Sequence, residues 1–379
     1  MRGPLPSDPG RRGRKGREGM TTAHTGQGRR IPRRRATAGD PPVMSDVAQR
    51  AGVSHQTVSR VLNEHPNVRE QTRQRVNAAI AELGYRPNRI ARALASRRFH
   101  SVGVVTTDTV AHGPASTLLG IERAARARGW GLAVAAPAAA TRAAMREAIE
   151  AVLDQGAGGL LVIAGDDAVA AALPAQPGSA ALVWVAGPES GTGLATVRVD
   201  QAAGARMVTE HMLELGHRTV HHLAGPADWH EARSRRAGWQ AALHAAGAPV
   251  PEPLVGSWTP ESGYRLGREM AGRQEVSAVF VANDEMAVGL LRAFAEAGRA
   301  VPEQVSVVGF DDLPISGFTL PPLSTVRQDF DELGRRAVAR LATVIAPEQQ
   351  VAAVATGDLQ PDLVLRASTG PPPGLDSRR

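Results

Sequence analysis

Hydrophobic patterning divides this 379-residue chain into two regimes near residue 100. Beyond it, short continuous apolar runs alternate with stretches carrying apolar residues every three or four positions. The runs at 101–106, 132–136, 159–164, 182–186, 220–224, 278–282 and 305–310 predict buried strands. The stretches at 116–128, 142–155, 202–215, 233–246 and 284–297 predict helices. Strands apolar throughout are covered on both faces, as in parallel sheets wound with crossover helices. The series restarts near residue 202, so two doubly wound lobes in tandem are expected, with ligands at the carboxyl ends of strands. Before residue 100 the pattern is helical only. A short first helix ends at Ala51-Gly52-Val53, a second starts after Ser54, and a third covers 69–83 with Val76, Ala79, Ile80 and Leu83 on one face.

The run VAQRAGVSHQTVSRVLN at 47–63 narrows that helical part to a helix-turn-helix. Small Ala48 lets two helices cross closely, and Gly52 takes a turn conformation that a Cβ would penalise. Val47, Val53, Val58 and Val61 fill the seam. Ser54 caps the second helix, whose first turns carry His55, Gln56, Thr57, Ser59 and Arg60. Gln can pair with adenine through two hydrogen bonds, and Arg with guanine. An ordinary helical hairpin shares the apolar frame; the polar face favours DNA.

Charge sharpens the picture. Residues 1–42 hold ten Arg and one Lys against three acids, and residues 43–98 hold ten Arg against four acids. With a net charge of +7, the remainder is therefore −7. A basic end on an acidic body implies a polyanion at one end only. Residues 1–42 are rich in Arg, Gly and Pro and are expected to be disordered. They read either as a basic arm or as a start codon placed upstream of Val43 or Met44. The absence of cysteine excludes disulfides and suits a reducing cytoplasm. No run of 18 apolar residues exists, and no apolar segment follows Arg11-Arg12 as a secretion signal would require.

Candidate chemistry clusters where strands end: Thr106-Thr107-Asp108, Asp166-Asp167, Asn283-Asp284 and Asp311-Asp312. Sugar recognition uses such bidentate polar groups with aromatic faces, and Trp184, Trp229, Trp258 and Phe330 lie near those ends. Asp284 and Asp312 read as helix caps, and Trp239 as core. His211, His217, His221 and His222 suggest a metal cluster, but neighbouring strand residues point to opposite faces and no Cys or paired carboxylate completes a site. There is neither a GxGxxG fingerprint nor a Walker loop. A catalytic reading would need two working carboxylates, for which Asp166 and Asp311 are the candidates. A sugar-transport receptor would have no use for residues 44–98.

Together with GYRPNRIARALAS (84–96), HLAGP (222–226), RSRRAGW (233–239), GSWTPESG (256–263), VANDEMAVG (281–289), SVVGFDD and PPLSTVRQDF (321–330), these motifs resemble the lactose/galactose repressor family over about residues 44–366. The resemblance implies an all-α helix-turn-helix headpiece (43–87), a hinge (88–98) and an α/β two-lobe periplasmic-binding-protein-like core (99–366). Lobe 1 would comprise 99–197 and 328–346, and lobe 2 198–325 and 347–366; 367–379 would be a disordered tail. It implies operator contacts by Ser54, His55, Gln56, Thr57, Ser59 and Arg60, with Asn63, Arg73, Asn88, Arg89, Ala91 and Leu94 joining them. Arg73 and Arg89 would hold phosphates, and Leu94 would wedge into the minor groove. The implied effector positions are Thr107, Pro114, Asp166, Arg235 and Trp258, with Asn283, Asp311, Gln328 and Phe330.

Three departures stand out. The chain is one residue shorter around Asp166. Trp229 and Glu231 replace small hydroxyl residues. Pro42-Val43-Met44-Ser45 lacks the usual Thr, so the first helix cap is weakened or falls to Ser45. The expectation is a dimeric, cytoplasmic transcriptional regulator released from double-stranded operator DNA by a saccharide. It would be no enzyme, with no cofactor, no metal and no membrane. The sequence after Arg366, with three prolines and no heptad, argues against a tetramer-forming helix.

Overall fold

The computed structural model describes residues 42–62, 65–85, 101–107, 110–139, 141–173, 181–187, 194–345 and 357–374. Residues to Pro87 and residues from Asn88 onward form two separate compact units. In the first, α1 (Met44–Ala51) and α2 (His55–Leu62) are joined by Gly52 at φ +62°, whose N–H reaches the carbonyls of Ala48 and Gln49. α3 (Glu70–Leu83) packs across both, and Val47, Val58, Val61, Val76 and Tyr85 form the small core. Ser54 Oγ accepts the Thr57 N–H at 3.1 Å, the expected cap. The first cap is different: Val43 stands at the cap position, and the Asp46 carboxylate accepts its N–H at 2.8 Å. Ser45 has no part in it.

The second unit carries two parallel sheets. In the first lobe β1 (Ser101–Thr106), α4 (His112–Ala127), β2 (Gly131–Ala135), α5 (Arg142–Asp154), β3 (Gly159–Ile163), α6 (Asp167–Ala172), β4 (Ala181–Val185) and β5 (Ala195–Val197) build a sheet of order β2-β1-β3-β4-β5. The second lobe starts with α7 (Gln201–Glu214) and continues through β6 (His221–Ala224), α8 (His230–Ala245), β7 (Leu254–Val255), α9 (Pro260–Ala271), β8 (Ala278–Val281), α10 (Asp284–Glu296) and β9 (Ser306–Val308). Its sheet runs β7-β6-β8-β9. Strands β1, β3 and β8 are buried along almost their whole length, as mainly apolar runs between two helical layers require.

After a 3₁₀ turn at Pro314–Phe318, β10 (Thr325–Arg327) pairs antiparallel with β11 (Asp362–Val364), and α11 (Phe330–Ile345) lies between them in sequence. α11 returns to the first lobe: Leu333, Ala337, Val338 and Leu341 join the core of Val102, Val104 and Ile121. The close approach depends on Gly120 and Gly334. A Cβ on Gly120 would lie 2.3 Å from the Phe330 carbonyl oxygen.

The tail is the main correction to the fold. Ser368 is fully buried rather than disordered; its Oγ donates to the Val307 carbonyl (2.6 Å) and accepts the Ser324 N–H (2.7 Å). Val307 N–H in turn donates to the Ser368 carbonyl. β9 is an edge strand of its sheet, and residues 367–370 satisfy polar groups that such an edge leaves unpaired. The Gly370 carbonyl also accepts from Ser306 Oγ and lies 3.0 Å from His217 Nε2.

Candidate functional site

On α2, His55, Gln56 and Arg60 are exposed, on the opposite side from buried Val58 and Val61. Ser54 and Thr57 share a hydrogen bond of 2.9 Å and hold the start of the helix, while Ser59 is half-buried. Arg73 on α3 donates to the His65 carbonyl, which fixes the chain entering that helix. Asn63, Asn88, Arg89, Ala91 and Leu94, and with them the hinge, lie outside the described residues, as does the extension before Pro42.

In the second unit a cavity of about 840 Å³, open mouth included, lies between the lobes at the carboxyl ends of the strands. Eight of the nine effector positions line it: Thr107 and Pro114 from the first lobe, Arg235, Trp258, Asn283 and Asp311 from the second, and Gln328 and Phe330 from the crossover. Asp166 does not. Its carboxylate accepts the Val169 N–H at 2.8 Å and caps α6, so Gly165 forms the wall instead.

The centre of the cavity is a closed polar network. Arg235 donates to Gln201 Oε1 (2.8 Å), to the Ala282 carbonyl, and to Asp311 Oδ1 (3.4 Å). Gln328 donates to the same Oδ1 at 2.6 Å and accepts from Gln201 Nε2 at 2.7 Å. No contact among the described residues engages Asp311 Oδ2. Burial pushes the Asp311 carboxyl up to about 6, against the opposing pull of Arg235 and Gln328. The Arg235 guanidinium also lies 3.8 Å over the Phe310 ring, which keeps its plane fixed.

Two cavity residues hold uncommon backbone conformations, Asp311 at φ +109° and Trp258 at φ +67°. Such positions cost about 1–3 kcal/mol and persist only where neighbours impose them. Asp311 N–H donates to the Val326 carbonyl on β10, and the Trp258 carbonyl accepts from Asn283 Nδ2. Asn283 Oδ1 meanwhile caps α10 by accepting the Met286 N–H. Thus Asp284 is no cap: its carboxylate binds Ser316 Oγ, Thr325 Oγ1 and the Leu313 N–H. Burial raises it to about 7. Asp312 is no cap either, since its oxygens take Arg327 and Arg366.

At the mouth, the loops after β3 and β6 are laced together across the cleft. Asp167 accepts two hydrogen bonds from Arg233 (2.8 and 2.9 Å), its N–H donates to the Asp228 carbonyl, and His230 N–H donates to the Gly165 carbonyl. Behind that latch Trp229 meets Trp258 edge to face at 5.7 Å. Trp184 sits in the first-lobe core, and Trp239 is buried with its Nε1 on the Val220 carbonyl. The histidines serve separate neighbourhoods: His217 bonds Ser277 and Ser306, and His222 stacks on Phe280, where burial lowers it to about 4. Sequence reasoning missed Gln201, the residue that links Arg235 to Gln328.

The profile described as bacterial regulatory proteins, lacI family, matches residues 43–88, and that of a periplasmic binding protein-like domain matches 209–369. The lactose operon repressor of Klebsiella pneumoniae is 35% identical over 353 residues, covering 92% of this chain and 96% of that protein. The chain belongs to the LacI family. It is a DNA-binding transcriptional regulator, not an enzyme. The lactose operon repressor of Escherichia coli K12 is 36% identical over 79% of this chain and 84% of that protein. The crystal structure of the lac repressor dimer bound to operator and the anti-inducer ONPF superposes with a TM-score of 0.79 at 34% identity, over 87% of this chain and all of the other. Among the described residues no helix is long and apolar enough to cross a membrane.

Proposed function

We propose that this LacI-family chain represses sugar-utilisation genes from the nucleoid in the cytoplasm. It binds a pseudo-palindromic operator as a dimer and leaves it when a saccharide occupies the cavity. The observation that carries this reading is the network of Arg235, Asp311, Gln328 and Gln201 beside the Trp258 indole. Fixed planar donors and acceptors next to an aromatic face suit the polar rim and apolar face of a sugar ring. Among relatives, the ribose operon repressor of Escherichia coli is 31% identical, and a cellobiose complex of the regulator CelR superposes with a TM-score of 0.63.

Exposed Gln56 and Arg60 are the base-reading pair, and Arg73 supports the phosphates. A dimer places two headpieces on half-sites spanning about 18–22 base pairs. Arg60→Ala is expected to cost roughly 1–3 kcal/mol in operator binding and to relax preference at one base pair per half-site. A gel shift against single-base operator variants at fixed salt measures both. The reading as a whole is tested by a thermal-shift panel of sugars and nucleosides. A saccharide that raises the melting temperature should also release operator DNA; hits confined to nucleobases or phosphorylated metabolites contradict it.

A further inference from the structure

The polar network leaves two atoms of the cavity lining buried and without a hydrogen-bond partner among the described residues: the acceptor Glu231 Oε2 and the donor Trp258 Nε1. Buried polar groups in folded proteins are nearly always paired, so two orphans of complementary type in one cavity point to what fills it. Glu231 belongs to the first turn of α8, in the second lobe. Its carboxyl nevertheless reaches the first lobe: a Cβ on Gly165 would lie 2.2 Å from Oε2.

Among the described residues no side chain hydrogen-bonds this carboxyl, and Arg235 attracts it through charge alone. Arg235, four residues further along α8, spends its donors on Gln201, Ala282 and Asp311. Within the protein the Glu231 carboxyl has its own backbone N–H as hydrogen-bond support, and burial drives it up to about 7. A carboxyl that costs desolvation and bonds no neighbouring side chain is explained by a ligand, not by folding.

We propose that Glu231 is a specificity-determining residue of the cavity: its Oε2 accepts a hydrogen bond from a hydroxyl of the bound saccharide, while Trp258 Nε1 donates to an oxygen of the same molecule. This rests on the saccharide reading above. The hydroxyl, rather than an amine, follows from the cation already present: Arg235 lies in the same cavity and needs no second positive charge beside it. The site therefore discriminates among sugars by the hydroxyl they present at the Trp229 and Trp258 end. A site built to bond a hydroxyl rejects ligands lacking it far more strongly than an apolar wall does.

The test is quenching of tryptophan fluorescence in the full-length protein by lactose, cellobiose, ribose and glucosamine. It compares the wild type with Glu231→Gln and Glu231→Ser, with a thermal melt to confirm folding. Glu231→Gln keeps the shape but trades an ionisable carboxyl for a neutral amide. It should weaken the tightest neutral sugar by about 10- to 100-fold, and Glu231→Ser should change the rank order of the four. Gly165→Ala displaces the carboxylate, so it should match the Gln variant in the wild-type background and cost little more in the Ser background.

Unchanged affinities in both Glu231 variants, with sugars bound normally by the wild type, overturn the proposal alone. Glucosamine binding tenfold tighter than every neutral sugar overturns the hydroxyl assignment in favour of a cation. If no saccharide of the thermal-shift panel binds the wild type, the saccharide reading fails and the proposal with it.

Discussion

Asp311→Ala is expected to leave operator binding intact and abolish release by saccharide, a super-repressed phenotype. The carboxylate occupies the centre of the cavity, where Arg235 and Gln328 hold Oδ1 and Oδ2 stays uncommitted. Charge-assisted hydrogen bonds are worth about 1.5–3 kcal/mol each, so losing two to a sugar weakens binding by two or more orders of magnitude. Removal also leaves the buried Arg235 with two carbonyl-type acceptors and no directly bonded carboxylate, at a cost of about 3–5 kcal/mol for a broken buried pair. Asp311→Asn is the better control, because Asn tolerates the positive φ. A sugar titration of the operator complex measures the effect; release at wild-type concentrations would remove Asp311 from the site. The raised pKa adds a pH signature. A group at about 6 is ionised at neutral pH and protonates below it, so effector affinity should fall as pH drops, first as Glu231 protonates near 7 and then through 6.

Phe318→Asp is expected to convert the protein to a monomer and weaken operator binding by about 100-fold or more, since one headpiece then engages one half-site. Phe318 is 84% exposed, Leu320 94% and Ile315 52%, grouped around the 3₁₀ turn of the second lobe. Large apolar side chains left together on a surface mark a protein contact. Sedimentation at micromolar concentration should show the change from dimer to monomer. A variant that remains dimeric would place the interface elsewhere, and a stable wild-type tetramer would contradict the dimer.

The legible parts of this molecule were those written in local pattern. Short apolar runs located β1, β3 and β8 because strands covered on both faces need no polar side. Gly52 and Ser54 marked the turn and cap of the headpiece because a positive φ and an orphan N–H each demand a particular residue type. What stayed hidden depended on partners distant in sequence. Gln201 follows β5, three residues long and too short to show a period, so its place beside a strand end was invisible. Asp166 and Asn283 both follow strands and cap helices, yet only Asn283 also lines the cavity. Ser368 reads as tail next to three prolines, and its burial comes from pairing with Val307 of β9 and with Ser324, both distant in sequence.

The central claim is a coupling between the cavity and the DNA. The two lobes meet over the cavity through the Asp167–Arg233 pair and the Gly165–His230 hydrogen bond, contacts that a bound ligand can strengthen or oppose. Linkage requires that a sugar which releases operator bind the free protein more tightly than the operator-bound protein, by the same factor with which it weakens DNA binding. The most direct measurement is therefore the dissociation constant of one saccharide identified in the thermal-shift panel, taken with and without saturating operator DNA. The account predicts a constant about 5- to 150-fold weaker on operator, equal to the shift in operator affinity at saturating sugar. Equal constants in the two conditions would contradict it.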